Sequence, residues 1–334
     1  MSLSKLLVTR RVKKVQLYTD TDGDGRACEL LLAEECNVLG ILVDTKHPKC
    51  RTNVDAPLYP TVVMTDWVPN DLDKFLEDNP HVERCIVVDH HPWDDATRTS
   101  PKIVKFWNTS MCAAQILYKA LGFNNPYLWK FVQHIGYHDL FTAPSGCPLP
   151  EADIRLRATV HKCGGTVRWA TGEYGTVEKF FSSLHEGYFR NLTKAIEQVR
   201  ENDAFVAQLM NTQYVREGEF HWSFDAVSYR KDFPNKQWEY SAVMSLLGYQ
   251  LSKKYGKPGF FLNMKTFKDG DVYGLGFRSS PHCEMTAKEL MAHMLVFSAD
   301  EPTASGAEKT AGGHEHACGM NGYTKGAYDN WKAF

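Results

Sequence analysis

Three short apolar segments near the start of the chain each end on an aspartate, and this pattern constrains the fold more than any other feature. The segments are rich in β-branched residues, and each is followed at once by an acid: residues 14–19 by Asp20, residues 61–65 by Asp66 and residues 84–88 by Asp89. Short apolar runs that alternate with helical patterns are typical of buried parallel strands. The predicted fold class is therefore α/β, with a doubly wound parallel sheet in the N-terminal domain.

The carboxyl ends of parallel strands meet at one edge of the sheet, where open α/β sheets bind their ligands. The residues expected at this edge are Asp20, Asp22, Asp24, Asp66, Asp89, His90 and His91. So many carboxylates in one place repel one another and force protonation unless a cation lies between them. Aspartate and histidine without cysteine favour Mn²⁺ or Mg²⁺ over a structural zinc.

Composition narrows the classes of protein that the chain can be. Its 334 residues suggest two domains, and its net charge of −2 is too small to hold a long polyanion by bulk charge alone. The nine cysteines include no CxxC pair, which argues against a disulfide framework and a cysteine zinc site. There is no signal-peptide pattern and no run of about 20 apolar residues, so we expect a protein of the reducing cytoplasm.

The hydrophobic pattern divides the chain into two domains. The catalytic domain is predicted over residues 1–190, a connecting helix over 191–212 and a smaller α/β domain over 213–334, with the connecting helix belonging to a long helical pattern over 176–211. In the first domain we predict further strands over 38–43 and 102–107, and helices over 29–36, 71–78, 111–121 and 126–137. In the second we predict a strand over 225–229, helices over 240–255 and 287–297, and a hairpin of 259–267 with 272–277 around a turn at 268–271.

The acidic segment from Asp20 to Gly25 has two alternatives to a metal site at a strand end. It begins like an EF-hand loop, but that motif needs a preceding helix and a glutamate six residues after the glycine, where this chain has Leu31. A solvated acidic turn is the other alternative. Considered alone, an aspartate such as Asp66 is more often a turn or cap residue than a metal ligand. Because Asp66 repeats the strand-end pattern of Asp20 and Asp89, we predict that it is a metal ligand.

Two histidine pairs have metal-binding potential. His90 and His91 follow an extended segment, and alternation along a strand predicts that one faces a metal and the other the substrate. His134 and His138 are four residues apart on a predicted helix, but the glutamate of a zinc-protease helix is missing. Asp139 is the better ligand, because the end of a helix can lean over the edge of a sheet.

The set of motifs resembles the DHH phosphoesterase family, which includes RecJ-type exonucleases, oligoribonucleases, cyclic-dinucleotide phosphodiesterases and manganese pyrophosphatases. The segments that carry the resemblance are residues 20–28, Asp66, Asp89-His90-His91, Asp139, Phe277-Arg278-Ser279 and residues 312–319. The last of these is similar to the GGGHxxAAG signature of the DHH-associated domain, with Ala311 and Cys318 as departures. That associated domain argues against a pyrophosphatase.

The resemblance implies a role for each matching residue. It implies two Mn²⁺ ions, with Mg²⁺ as a substitute, bound by Asp20, Asp22, Asp24, Asp66, His90 and Asp139. Asp89 would orient His90, and His91 would contact the scissile phosphate as a hydrogen-bond donor or general acid. The far phosphate or terminal nucleotide would be bound by Arg278, Ser279, Gly312, Gly313 and His314. Trp107, Tyr127 and Trp129 are aromatic residues that could stack on a base, although inward packing is the commoner role.

The function predicted from this resemblance is hydrolysis of short oligonucleotides or linear dinucleotides to nucleoside monophosphates. The alternatives are a RecJ-like single-strand exonuclease, a bisphosphonucleotide phosphatase and a catalytically inactive nucleotide-binding module. The expected partner is a short single-stranded nucleic acid or dinucleotide, with no membrane, and the sequence is compatible with a homodimer.

Overall fold

The computed structural model describes residues 2–9, 12–48, 51, 54–93, 95–173, 177–234, 240–267, 270–301, 303–304, 310–314 and 316–333. The chain forms two compact units, Met1–Ile196 and Glu197–Phe334. No helix in the described residues is both long enough and apolar enough to cross a membrane. Each described cysteine is a free thiol.

The first unit is built on a five-stranded sheet in the order β2-β1-β3-β4-β5, with every pair of neighbours parallel. Its strands are β1 (Lys14–Thr19), β2 (Leu42–Lys46), β3 (Thr61–Thr65), β4 (Arg84–Asp89) and β5 (Ile103–Trp107). This order confirms the predicted doubly wound topology. The strand order reverses between β1 and β3, which is where such sheets bind ligands.

Helices cover both faces of this sheet. They are α1 (Leu3–Thr9), α2 (Gly23–Leu39), α3 (Leu72–Asp78), α4 (Ala113–Leu121), α5 (Pro126–Asp139), α6 (Ile154–Glu173), α7 (Val177–Ser183) and α8 (Glu186–Arg190). The next helix, α9 (Thr193–Leu209), continues into the second unit, where its Val206 and Leu209 pack in the core. One apolar cluster joins α2, α4 and α5 to one face, and a second joins α3 to the other. Because both faces are covered, the central strands β3 and β4 are buried almost throughout.

The helix after β1 is longer than the sequence pattern predicted. It begins at Gly23 rather than residue 29, because the side chain of Asp22 caps its first turn. It ends at Leu39, where Gly40 adopts a left-handed conformation with φ of 65°. The prediction of a strand over 38–43 was therefore wrong at its start, and β2 begins at Leu42.

The continuous helix predicted over 176–211 was also wrong. The described part of this segment is three helices, α7, α8 and α9, with a new N-cap at His185, whose ring accepts the backbone N–H of Gly187. A short polar break of this kind interrupts a helix without disturbing the apolar spacing on either side, so the spacing alone does not reveal it. The division between the two units falls within α9.

The second unit is built on a six-stranded mixed sheet in the order β10-β11-β9-β8-β7-β6. Its strands are β6 (Val215–Glu217), β7 (Trp222–Asp225), β8 (Gly259–Phe267), β9 (Gly270–Arg278), β10 (Thr310–His314) and β11 (Ala317–Tyr323). Its helices are α10 (Ala226–Asp232), α11 (Tyr240–Tyr255), α12 (Ala287–Phe297) and α13 (Lys325–Ala333). This smaller unit confirms the predicted second α/β domain.

The sequence predicted four of the described elements of this unit and missed β6, β7, α10, β10, β11 and α13. The hairpin of β8 with β9 and the helices α11 and α12 lie where they were expected, whereas the tip of the hairpin at residues 268–269 lies outside the described residues. The strand expected over 225–229 was wrong, because Asp225 caps α10 and turns the chain into a helix. The glycine-rich segment that carries Gly312 and Gly313 forms β10, which pairs antiparallel with β11.

Candidate metal centre

The predicted strand-end acids lie at the point where the strand order reverses. Asp20 follows β1, Asp66 follows the neighbouring β3, and Asp89 is the last residue of β4. The hydroxyl of Thr65 donates to that of Thr19 at 2.9 Å, so the ends of β1 and β3 are linked by side chains as well as by backbone.

His90 lies at the centre of a buried group of carboxylates. Its Nε2 atom is 3.3 Å from Asp66 Oδ1, 3.4 Å from Asp139 Oδ2 and 3.9 Å from Asp24 Oδ2. The side chains of His90 and Asp24 are almost fully buried, and that of Asp139 is 13% exposed. Four of the six predicted metal ligands, Asp24, Asp66, His90 and Asp139, therefore converge on one point.

Asp66 has an unusual backbone conformation at this centre. Its φ is 56°, in the left-handed region that non-glycine residues rarely adopt. The backbone N–H of Asp66 donates to the carbonyl of Val88 at 3.1 Å, which fixes the turn against β4. Strained conformations of this kind persist where the surrounding structure holds them, and they cluster at functional sites.

Asp24 makes structural hydrogen bonds in addition to lying in the candidate metal centre. Its Oδ2 and Oδ1 atoms accept the backbone N–H groups of Ala113 and Ala114 at 2.7 and 2.8 Å, at the first turn of α4. Burial, followed by the negative charge of Asp22, raises the pKa of Asp24 from 3.8 to about 7 despite these bonds. The contact joins two segments about 90 residues apart, so no local sequence pattern could have revealed it.

Asp20 and Asp22 are placed differently from the other predicted ligands. The Oδ1 atom of Asp22 accepts the N–H groups of Asp24 and Gly25, each at 3.0 Å, and caps α2. A Cβ atom on Gly25 would overlap the backbone of Asp20, so only glycine allows β1 to turn so tightly into α2. Neither acid is part of the ligand groups that the described residues form, although the charge of Asp22 raises the pKa values of Asp24, Asp66 and Asp139.

Asp89 orients His91 rather than His90, which corrects the predicted pairing. Its Oδ1 atom accepts the ring Nδ1 of His91 at 2.8 Å and the backbone N–H groups of His90 and His91 at 2.7 and 3.1 Å. Burial alone would raise the pKa of Asp89, but the ring and charge of His91 and these backbone bonds lower it below its usual value. Asp89 is therefore a carboxylate that fixes the orientation of one imidazole.

The prediction that one histidine faces a metal and the other the substrate was based on the alternation of a strand, and it stays a prediction. β4 ends at Asp89, so His90 and His91 lie beyond the strand and its alternation does not apply to them. Their ring centroids are 4.4 Å apart. The two rings differ in exposure, since His90 is 1% exposed and His91 is 21% exposed, so His91 is the one that solvent reaches.

Replacing Asp89 with asparagine is expected to lower turnover about 10- to 100-fold, the usual cost of losing a carboxylate that orients a functional imidazole. Asparagine keeps the shape but removes the charge, so the Nδ1–H bond from His91 weakens while the buried ligands remain. Metal-dependent phosphodiesterase assays and metal titrations on the same samples would check this. Loss of metal affinity with turnover preserved at saturating metal would contradict it.

The remaining carboxyls show that the centre suits a cation. Burial, followed by the charge of Asp24, raises the pKa values of Asp66 and Asp139 well above the ordinary carboxyl range. Asp139 Oδ2 is buried and has no hydrogen-bond donor among the described residues. The described residues form two candidate ligand groups that share His90, one with Asp66, Asp89 and His91 and the other with Asp24 and Asp139. Carboxylates beside an imidazole are a donor set for a hard or borderline divalent ion, which would relieve the repulsion between the carboxylates.

The second unit holds Arg278 and Ser279 at the end of β9. Arg278 Nη1 donates to the carbonyl of Phe277 at 2.7 Å, and Gly248 of α11 makes room for its side chain, because a Cβ atom there would lie 2.6 Å from Arg278 Cβ. The hydroxyl of Ser279 accepts the N–H of Ala287 and bonds His316 Nδ1, each at 2.9 Å. His316 was missed by the sequence reasoning, which followed the family signature to His314.

The glycine-rich segment of the second unit has one position that demands glycine. In the register of β10 with β11, Gly312 lies opposite Gly319 and Gly313 opposite Cys318. Gly313 has φ of 130°, and a Cβ atom there would lie 2.6 Å from Cys318 Cα. The side chain of His314 lies outside the described residues, and the phosphate-binding role predicted for this segment stays a prediction.

His134 and His138 do not form a metal site in the described residues. His134 Nδ1 bonds the carbonyl of Lys130 at 2.5 Å, and burial lowers the pKa of the His134 ring. Neither histidine belongs to a described group of three or more ligands within 4.8 Å of one another. His134 packs against Tyr137 and Phe189 as a residue of the helix interface.

Comparison with known proteins supports the fold through structure alone. No protein-family model and no curated protein matches the sequence. RecJ from Thermus thermophilus in complex with Mn²⁺ matches with a TM-score of 0.54 and 15% identity, over 99% of this chain and 53% of that one. The chain thus spans about half the length of that RecJ.

Two further structures match over nearly the whole of this chain. The DHH domain of a member of a family of ribosomal proteins has a TM-score of 0.64 and 13% identity, over 99% of this chain and 88% of that one. CDC45 from Entamoeba histolytica has a TM-score of 0.53 and 11% identity, over 99% of this chain and 96% of that one. The two-unit α/β fold predicted from the DHH resemblance is confirmed.

Proposed function

We propose that this protein is a metal-dependent phosphoesterase that hydrolyses short oligonucleotides or linear dinucleotides to nucleoside monophosphates. The observation that carries the proposal is the buried group of Asp24, Asp66 and Asp139 around His90 at the switch point of the parallel sheet. A fold needs no such group for stability, because buried carboxylates that repel one another destabilise it. Their presence indicates a site kept for a bound cation.

The metal ligands in this proposal are the four converging side chains, completed by Asp20 and Asp22 from the loop after β1. Two Mn²⁺ ions are the preferred cofactor, with Mg²⁺ as a substitute, and the similar RecJ structure contains Mn²⁺. Bound divalent ions would lower the pKa of a shared water and neutralise the charge of the phosphate that it attacks. The oxygen-rich donor set with one imidazole suits these ions.

His91 is the proposed proton donor to the substrate. The Nδ1–H group of His91 donates a hydrogen bond to Asp89 Oδ1, so the other ring nitrogen, Nε2, is the one that can donate to a phosphate oxygen when the ring is charged. The partial exposure of His91 beside the fully buried His90 fits this division of roles.

Short substrates are proposed because the chain has little charge with which to hold a long one. A net charge of −2 gives no general attraction for a polyanion, so binding must depend on local contacts. Arg278 and the glycine-rich β10 of the second unit remain the groups predicted to contact a substrate phosphate.

Digestion of a length series tests this function. Metal-stripped protein would be supplied with Mn²⁺ and given ribo- and deoxyribo-oligonucleotides from dimers to strands of about 24 nucleotides, with products resolved by chromatography. Nucleoside monophosphates released fastest from dimers and trimers are the expected result. Faster turnover of long strands would indicate a RecJ-like exonuclease, free phosphate a bisphosphonucleotide phosphatase, and no product from any substrate an inactive binding module.

A further inference from the structure

Trp107 lies beside His91, the proposed proton donor, and the metal centre does not explain its role. It is the last residue of β5, and the register of β4 with β5 pairs it directly with Asp89. Its indole Nε1–H donates to the carbonyl of His91 at 2.7 Å. The ring is thereby fixed next to the proposed proton donor, at the same edge of the sheet as the metal ligands.

The ring of Trp107 is more exposed than the other tryptophan rings whose burial the structure describes. It is 42% exposed, whereas Trp67, Trp222 and Trp331 are each at most 3% exposed. Its one polar atom is already hydrogen-bonded, so the exposed surface is aromatic carbon. A rigid aromatic face beside a polar reaction centre is suited to stacking with another flat ring.

A lysine lies on the same edge strand. Lys105 is two residues before Trp107 and therefore on the same side of β5; its side chain is 49% exposed, and its Nζ lies 3.7 Å from Oδ1 of the exposed Asp95. Lys105 Nζ lies 4.7 Å from the ring centroid of Trp93, and Arg98 Cζ lies 4.7 Å from the same ring. Aromatic rings interleaved with cations are the combination that binds single-stranded nucleic acid through stacked bases and neighbouring phosphates.

We infer that the indole of Trp107 is the stacking platform for the nucleobase adjacent to the scissile phosphate, and that Lys105 contacts the next phosphate of the same strand. The inference rests on the proposed function and deepens it. The substrate must carry a base at this position, which selects nucleotide phosphodiesters over polyphosphates and other substrates without bases.

Binding measurements test the inference independently of hydrolysis. Labelled penta-adenylate and the same strand with one internal abasic residue would be titrated, in EDTA, against the wild-type protein and the variants Trp107→Ala and Trp107→Phe. The expected result is a Kd for the intact strand raised roughly 5- to 100-fold by Trp107→Ala, with most affinity kept by Trp107→Phe. The abasic strand should lose much less affinity through Trp107→Ala, because the base that stacks is absent.

The matched control is Phe297→Ala. Phe297 is similarly exposed at 48%, but it lies in the second unit, at the opposite end of α12 from Ala287, whose N–H bonds Ser279, and this variant should leave the ratio of the two Kd values unchanged. Equal losses for the intact and abasic strands, or equal losses for Trp107→Ala and Trp107→Phe, would overturn the inference, since they would mean that the indole only positions the His91 loop. Failure of the proposed function is separate, because it would appear as absent hydrolysis while these Kd values are still measured.

Discussion

Replacing Asp66 with asparagine is expected to lower metal-dependent phosphodiesterase activity by roughly 100- to 10,000-fold, the range that corresponds to several kcal/mol of transition-state stabilisation from a bound metal. Asp66 Oδ1 lies 3.3 Å from His90 Nε2 and 3.9 Å from His91 Nδ1, so it is the carboxylate between the ligand histidine and the proposed proton donor. Asparagine also tolerates the left-handed backbone at this position, so the loss should come from the missing charge.

The same substitution should stabilise the metal-free protein at slightly alkaline pH. Asp66 is buried beside Asp24 and Asp139, and both neighbours raise its pKa when they are charged. The asparagine side chain would remove one member of that repelling group, so the midpoint of thermal unfolding in EDTA should rise while the stabilisation by added Mn²⁺ shrinks. Lower activity together with higher metal-free stability distinguishes a functional carboxylate from a structural one.

A suitable control for this variant is Asp78→Asn. Asp78 lies at the end of α3 with its side chain 60% exposed and paired with Lys74, so both activity and metal response should be retained. If Asp66→Asn retained activity within tenfold of wild type and the full stabilisation by Mn²⁺, the metal centre proposed here would be wrong.

The parts of the site that were predictable from sequence are those that depend on chain direction and local pattern. Parallel strands must deliver their carboxyl ends to one edge, so Asp66 and Asp89 were expected there before their neighbours were known. The helix end that brings Asp139 to the centre follows from the same alternation of strand and helix. Residue type and position along the chain were enough for these predictions.

Other features depend on contacts between distant segments. The bonds from Ala113 and Ala114 to Asp24 depend on how α4 packs against α2, and the spacing of apolar residues on either helix does not specify them. The pairing of Asp89 with His91 rather than His90 depends on the chain leaving β4 at Asp89, a boundary that sequence patterns locate only to within a few residues. The sequence named Trp107 as a base-stacking candidate, but its position beside His91 depends on a hydrogen bond that the sequence does not reveal.

The stability of the metal-free protein is expected to fall as the pH rises from about 6.5 to 8.5, and added Mn²⁺ should reverse this fall. Burial and mutual repulsion raise the folded-state pKa of Asp24 from 3.8 to about 7, and those of Asp66 and Asp139 well above the ordinary range. A carboxyl with a raised folded-state pKa stabilises the fold while it is protonated, and this stabilisation is lost as the pH passes through the raised value.

Other titrating groups define the pH window. Burial lowers the pKa values of His134 and His221, so these rings destabilise the fold only as the pH falls below about 6.5. The lowered pKa values of Asp89 and Asp225 matter only in more acidic solution, because their contribution is lost as the pH falls below the ordinary carboxyl range. Between pH 6.5 and 8.5 the change in stability with pH therefore comes mainly from the buried carboxyls of the metal centre.

The size of the effect follows from the pKa change. The rise for Asp24 from 3.8 to about 7 corresponds to roughly 4 kcal/mol in total, of which about 1 kcal/mol is lost above pH 6.5, or about 2 to 4 °C in the unfolding midpoint of a unit of this size. Calorimetry in EDTA and in Mn²⁺ at several pH values would measure it, with Asp66→Asn as the variant in which the slope becomes shallower. A metal-induced gain in the midpoint that is equal at pH 6.5 and 8.5 would contradict the prediction, because cations that relieve repulsion between carboxylates stabilise the protein most where those carboxylates are ionised.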